Sequence, residues 1–255
     1  RGLGDVYKRQ VWGGEFLLCE DRSFIRVGAV KPISMISGDE SVRQAWKSLL
    51  CHLVHSGIPS DDKRAAVVKA AVAGGLNTVK SSSMGRLFDA VSAALGLADY
   101  NTYQGRCAML LENQAALAKR EGKIPTELSF NEEVVETENG SGTFFDPAPL
   151  WEKVMGEDKA AAALGFHEAV IRIVERMAEK TGVETVILSG GCFANRLLLE
   201  GCVEALKGKG HAVYWNQALP PGDGGLAFGQ AWYGMNTANE RKSYVRSISG
   251  ACGNH

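Results

Sequence analysis

A chain of 255 residues that is 45% hydrophobic can bury a sizeable core, which excludes disorder as its main state. With 28 basic and 29 acidic residues spread evenly, the net charge of −1 provides no field to gather nucleic acid or an anionic membrane. The cysteines (Cys19, Cys51, Cys107, Cys192, Cys202 and Cys252) form neither a CxxC pair nor a Cys/His cluster at zinc spacing, no apolar run reaches about 18 residues, and no signal core opens the chain, so the sequence predicts a cytoplasmic protein with reduced thiols.

Residues 1–10, RGLGDVYKRQ, show neither structural period and read as an extraneous tail, before a strand-like VWGGEFLLCE that begins as though a preceding segment were missing. Apolar stretches from Val11 to Cys19 and from Phe24 to Val30, around a polar turn, predict a hairpin, with Trp12-Gly13-Gly14-Glu15 as a glycine bulge rather than a phosphate loop. GDESVRQAWKSLLCHLVHSG carries Val42, Trp46, Leu49, Leu50 and Leu53 at helical spacing, with Asp39 and Glu40 suited to its start. A helix from Asp61 to Ala73 stops at Gly74-Gly75. Serines then precede a helix with Leu87, Val91 and Leu95 on one face, and another helix follows from Tyr103 to Lys119. Alternation between Glu127 and Phe145 predicts two strands. A long helix from Glu157 to Lys180 leads into ETVILSGG, which reads as a buried parallel strand. A helix from Asn195 to Leu206, a strand at 211–215 and a helix from Gly224 to Tyr233 complete a βαβα unit, and residues 236–255 read as a disordered tail.

Three segments carry chemistry. In VILSGGCFANRLLLE a strand ends in Ser189-Gly190-Gly191 and turns into a helix, where two glycines permit close backbone approach and the helix start offers N–H groups and a positive dipole end. Asn195 there either bonds an adenosine or ribose edge or caps the helix. In SSSMGRLFDAVSAALGL, Gly85 and Asp89 lie one helical turn apart; Gly85 would admit a ligand and Asp89 could accept two ribose hydroxyls, or be a solvated carboxylate. In PPGDGGLAFGQAWYG, Asp223 either caps the following helix or ligates a divalent or iron-type metal, and the small residues Gly225, Ala227, Gly229 and Ala231 suggest a closely packed, interior helix. His167 falls on an apolar helix and reads as structural.

In this order WGGEFL, SSSMGRLFDAVSAALGL, LSGGCFANRLLLE and PPGDGGLAFGQA resemble the C-terminal region of the HypF-type carbamoyltransferases over Val11 to Gly234, and more distantly the tRNA threonylcarbamoyl-transfer proteins. The resemblance implies an α/β lobe of the actin-like ATPase fold, a mixed sheet flanked by helices, spanning residues 11–235 and incomplete on its N-terminal side. It implies an enzyme that makes carbamoyl-adenylate from carbamoyl phosphate and ATP. The carbamoyl group then passes to the C-terminal cysteine thiol of a HypE-type partner that helps mature nickel–iron hydrogenases. Carried over by position, Gly85, Asp89, Gly190, Gly191 and Asn195 would touch ATP or carbamoyl-adenylate, and Asp223 would bind a divalent or iron-type metal; zinc would belong only to an upstream domain. The chain departs from the family at Gln104-Gly105-Arg106, where Glu-Gly-Gln is usual, and at Phe193-Ala194-Asn195, where Phe-Gln-Asn is usual. The family's histidine metal motif and Asp-Gly-Thr-Gly loop belong upstream of WGGEFL and are not in this chain; His52 and His55 are three apart and cannot replace the motif. A noncatalytic nucleotide-binding domain is the alternative, whereas a small-molecule kinase would need that phosphate loop.

Overall fold

A computed structural model describes residues 10–20, 23–36, 42–137, 140–156 and 158–237. Its strands sort into three sheets. In the first, β1 (Gln10–Val11) runs parallel to β5 (Thr78–Ser81), which pairs antiparallel with β4 (Ile33–Ile36). In the second, the hairpin of β2 (Glu15–Glu20) and β3 (Ser23–Val30) joins β7 (Gly140–Asp146) through a parallel β3–β7 pairing, and β6 (Asn131–Thr137) closes the far edge. The third is a parallel pair, β8 (Thr185–Leu188) and β9 (Ala212–Trp215). One extended run crosses from the second sheet to the first at Lys31-Pro32: Lys31 N still bonds Phe145 O at 2.9 Å, and Pro32, lacking an N–H, cannot continue the ladder.

Seven α-helices can be placed by the residues they bury: α1 (Ala45–Ser56), α2 (Ala65–Ala73), α3 (Met84–Ala94), α4 (Arg106–Arg120), α5 (Leu150–Val154), α6 (Lys159–Thr181) and α7 (Arg196–Gly208). Helix α3 is buried over most of its circumference, including Leu87, Phe88, Ala90, Val91 and Ala93, as expected of a central helix rather than an amphipathic surface one. Phe88 meets Phe166 of α6 edge-on at 4.9 Å between ring centroids, and Trp151, Leu111 and Leu128 close the core around them. Helix α6 is rich in small residues, so backbone can lie directly on it: a Cβ at Gly165 would fall 2.0 Å from Thr126 O.

Several sequence expectations change in detail. Helix α1 starts at Ala45, after Gln44 leaves the helical region (φ −103°, ψ 84°) and bridges Tyr100; Asp39 and Glu40 lie outside the described residues, as do residues 1–9 and 238–255. Gln10, placed with the tail, pairs with Lys80 in β1. The Trp12–Glu15 segment is a turn between two sheets and not a bulge; the irregularity in the ladder falls between Phe16 and Leu17. ETVILSGG is parallel to its neighbour as expected, but only one of its faces is covered. Leu188 and Val213 face the helices, while Ile187 and Tyr214 on the other face are 70% and 61% exposed. The helix expected to be interior spans 226–237 and is exposed at nearly every residue, Phe228 and Trp232 among them.

Candidate functional site

The C-terminal ends of β8 and β9 are tied by Ser189 Oγ and Asn216 Oδ1 at 3.0 Å, and the chain leaves β8 through Gly190 and Gly191 into a short 3₁₀ turn, Gly191–Ala194. Ligands of open parallel sheets gather outside this end of the strands. Gly190 has φ 108° and ψ 158°, a region open essentially to glycine alone, and its N–H donates to Pro221 O at 2.9 Å. That bond brings in the second glycine loop, where a Cβ on Gly222 would lie 3.4 Å from Gly191 Cα. Gly190, Gly191 and the turn starting at Asp223 therefore form one surface. A Cβ on Gly191 would meet nothing within 4 Å, so the fold does not itself require glycine there.

Helix α3 packs against the Gly191–Ala194 turn. Ser83 caps it, its Oγ accepting from Arg86 N at 3.4 Å, and Gly85 sits in the first turn with only Ser83 Oγ, 3.8 Å away, near its absent Cβ. The link between the two segments is electrostatic as well. Burial pushes the Cys192 thiol up to about 11, with Arg86 drawing it down and Asp89 pushing it further up.

Asp89 is neither ligand-facing nor solvated but buried, and Asn195 takes the capping role that the sequence offered as one of two readings. Asp89 is 1% exposed, and its Oδ1 accepts from Asn101 Nδ2 at 3.0 Å. Arg86 Nη2 lies 2.8 Å from Oδ2 without hydrogen-bond alignment, and Asn101 passes the network on to Cys107 N at 2.8 Å and Val42 O at 3.2 Å. Burial lifts the Asp89 carboxyl above the usual carboxylate range against the pull of Arg86 and Asn101. Asn195 is also buried. Its Oδ1 accepts from Leu198 N at 2.9 Å, so it caps α7, and its Nδ2 lies 2.8 Å from His167 Nε2. His167 is fully buried, and its Nδ1 lies 2.7 Å from Ala163 O. Burial holds it down to about 4, so the neutral ring donates from Nδ1 and receives at Nε2.

A second finding corrects the expectation of unpaired N–H groups at the α7 start. Glu112 of α4 reaches across, its Oε1 accepting from Arg196 N at 2.7 Å and Leu197 N at 3.4 Å. Together with Asn195 it engages the first three amides of α7 and places a negative charge on the positive end of that helix dipole. Glu112 stands 84 residues before Arg196, so no local spacing could reveal it. As for a metal, no group of three or more His, Cys, Asp or Glu among the described residues is placed to hold one. Asp223 brings a single carboxylate, whereas hard divalent cations take six or more oxygens, so the described residues do not form a metal centre by themselves.

The family described as carbamoyltransferase, Kae1-like domain, second subdomain, matches residues 1–230. The carbamoyltransferase HypF of Rhodobacter capsulatus is 36% identical over 90% of this chain and 31% of its own length, and HypF2 of Cupriavidus necator is 31% identical over 93% and 33%. The chain thus spans about a third of the length of these relatives. Among solved structures, full-length HypF in a phosphate- and nucleotide-bound form superposes with a TM-score of 0.73 at 28% identity, covering 87% of this chain and 30% of that one. HypF of T. kodakarensis, at 24% identity and a TM-score of 0.68, shares the fold. With its sheets flanked by helices and a family match running nearly end to end, this chain belongs to the HypF carbamoyltransferases, in the second subdomain of their Kae1-like domain.

Proposed function

We propose that this chain is the nucleotide-facing portion of a cytoplasmic carbamoyltransferase serving nickel–iron hydrogenase maturation, and that ATP or carbamoyl-adenylate lies across the Gly190–Gly191 turn and the start of α3. The observation that carries this reading is the meeting of two glycine loops at the C-terminal ends of β8 and β9, with Gly85 and Gly191 both leaving room where a side chain would stand. Glycines offer backbone at close range to a ligand. Asp89 and Asn195 serve the site from beneath: Asp89 holds Arg86 and the Asn101 loop, and Asn195 holds the start of α7. In the whole enzyme the carbamoyl group would pass from adenylate oxygen to the terminal cysteine sulfur of a HypE-type partner, with AMP leaving. Asp223 would be one ligand of a metal shell completed from outside the described residues.

Gly191→Val provides the test. The added side chain starts in open space and the backbone there is not of the glycine-only kind, so the variant should melt close to the wild type yet bind magnesium ATP at least about tenfold more weakly by calorimetry. Unchanged affinity in a folded variant would reject the site. In an enzyme of the relatives' full length, Asp223→Ala should lower bound metal and abolish carbamoylation of the partner thiol as read by mass spectrometry. Full activity with unchanged metal would remove Asp223 from the shell.

A further inference from the structure

We propose that Glu15 is a positioning residue for the nucleotide site, fixing the Trp12–Gly14 turn against the start of α3; this rests on the reading that α3 faces the nucleotide. One carboxylate takes donors from three segments. Its Oε2 accepts from the backbone N–H groups of Gly13 at 2.5 Å and Gly14 at 2.8 Å, while its Oε1 accepts from Arg26 Nη2 at 3.1 Å and from the Ser82 hydroxyl. The side chain is 8% exposed, and a buried carboxylate is tolerated only when so completely paired. Successive glycine N–H groups of this kind make an anion-binding concavity. Here the chain fills it with its own anion, which turns a potential ligand cradle into a rigid joint.

Ser82 of the joint lies three residues before Gly85 of the proposed site. Ser82 precedes the α3 cap Ser83, and Gly85 follows two positions later. Backbone bonds run alongside: Ser82 N to Val11 O at 3.0 Å and Met84 N to Gly13 O at 3.1 Å. The approach is close enough that a Cβ on Gly14 would fall 2.6 Å from Ser82 O, and one on Gly13 3.1 Å from Ser83 Cα. Arg26 is held in turn, its guanidinium 4.8 Å from the Trp12 ring centre and 5.4 Å from that of Phe144. Burial lowers the Arg26 pKa against the pull of Glu15, so the pair is interdependent. Any displacement of Glu15 therefore moves the first turn of α3, and with it Gly85 and Arg86.

Glu15→Gln tests this in the 255-residue chain, because the amide keeps the shape but has one acceptor oxygen for two pairs of donors. Magnesium ATP affinity should fall about tenfold, and amide exchange should quicken from Gly13 to Arg86 while α6 is unchanged. Ser82→Ala, which removes a single donor, should fold normally and shift both readouts the same way by a smaller factor. Val154→Ala, a core truncation in α5, serves as a control of comparable stability loss and should leave ATP affinity unaltered. Wild-type affinity in Glu15→Gln overturns the positioning role alone, and so does an equal loss in the α5 control. Failure of the wild type to bind ATP overturns the site reading and this inference together.

Discussion

Replacing Asn195 with alanine separates two roles that the sequence left open. The amide is a helix cap through Oδ1 to Leu198 N and the donor to the buried His167 Nε2. Loss of an asparagine cap costs about 1 kcal/mol. The imidazole nitrogen left without a donor adds the desolvation penalty of an unsatisfied buried acceptor, about 1–3 kcal/mol. Asn195→Ala should therefore destabilise the fold by about 2–4 kcal/mol, measured by urea denaturation followed by circular dichroism. Asn195→Asp refines the test. A carboxylate still caps α7 but presents oxygen to an acceptor nitrogen, so His167 should gain a second proton more readily and its pKa, held down to about 4 in the wild type, should rise in NMR titration. A stability loss below about 1 kcal/mol in the alanine variant, together with lost ATP affinity, would refute the framing role and return Asn195 to direct contact with the nucleotide.

Gly165→Ala should be strongly destabilising, about 2 kcal/mol or more, because the new methyl meets the Thr126 backbone rather than a yielding side chain; thermal melting unchanged from wild type would contradict the close crossing. Gly85→Ala should act oppositely on folding and binding: the methyl finds ordinary contact and raises helix stability by up to about 1 kcal/mol, while ATP affinity falls, and a stabilised variant with full affinity would place the nucleotide elsewhere. Acid should unfold the chain early. Burial holds His167 down to about 4 and, with the repulsion of His55, His52 down to about 3, so between these values and about 6.5 the unfolded chain binds more protons and stability is lost as the pH is lowered. His167 alone accounts for about 3 kcal/mol between pH 7 and pH 4, and urea midpoints that stay flat over that range would contradict its neutral burial.

What the sequence made legible followed from periodicity and punctuation. The long helix ends at Thr181 because Gly182 takes φ 64°, α2 stops at the Gly74-Gly75 pair, and Ser83 caps α3, all local signals. The short strands β4 and β5 escaped because ISMI and TVKS are too brief to show a period, and their pairing partners lie about 45 residues apart. Helix 226–237 was misjudged for a physical reason: small residues allow close packing, but only a partner surface makes it happen, and the chain's described residues supply none. The same limit applies to the site. Gly85, Gly190 and Gly191 were visible as glycines beside helix starts, whereas the hydrogen-bond partners Glu112, Asn101 and His167 come from other segments of the chain.

The distribution of those internal caps bears on where a phosphate can bind. Helix α6 begins under the Asp158 carboxylate, which accepts from Ala160 N at 2.9 Å and Ala161 N at 3.1 Å, and α7 begins under Glu112 and Asn195. The glycine pair before β2 is filled by Glu15. Each carboxylate neutralises the partial positive charge that would otherwise attract an anion. Helix α3 differs: its cap is a neutral hydroxyl, no acidic residue stands in its first turn, and Arg86 adds a full positive charge there. Asp89 draws on that charge from within the core, yet Arg86 remains partly exposed, and burial disfavours the ionised form of Asp89. For a nucleotide lying across the two segments as proposed, electrostatics favours α3 over the start of α7 for the phosphate end and leaves the Gly190–Gly191 turn to the nucleoside, where close backbone approach matters more than charge.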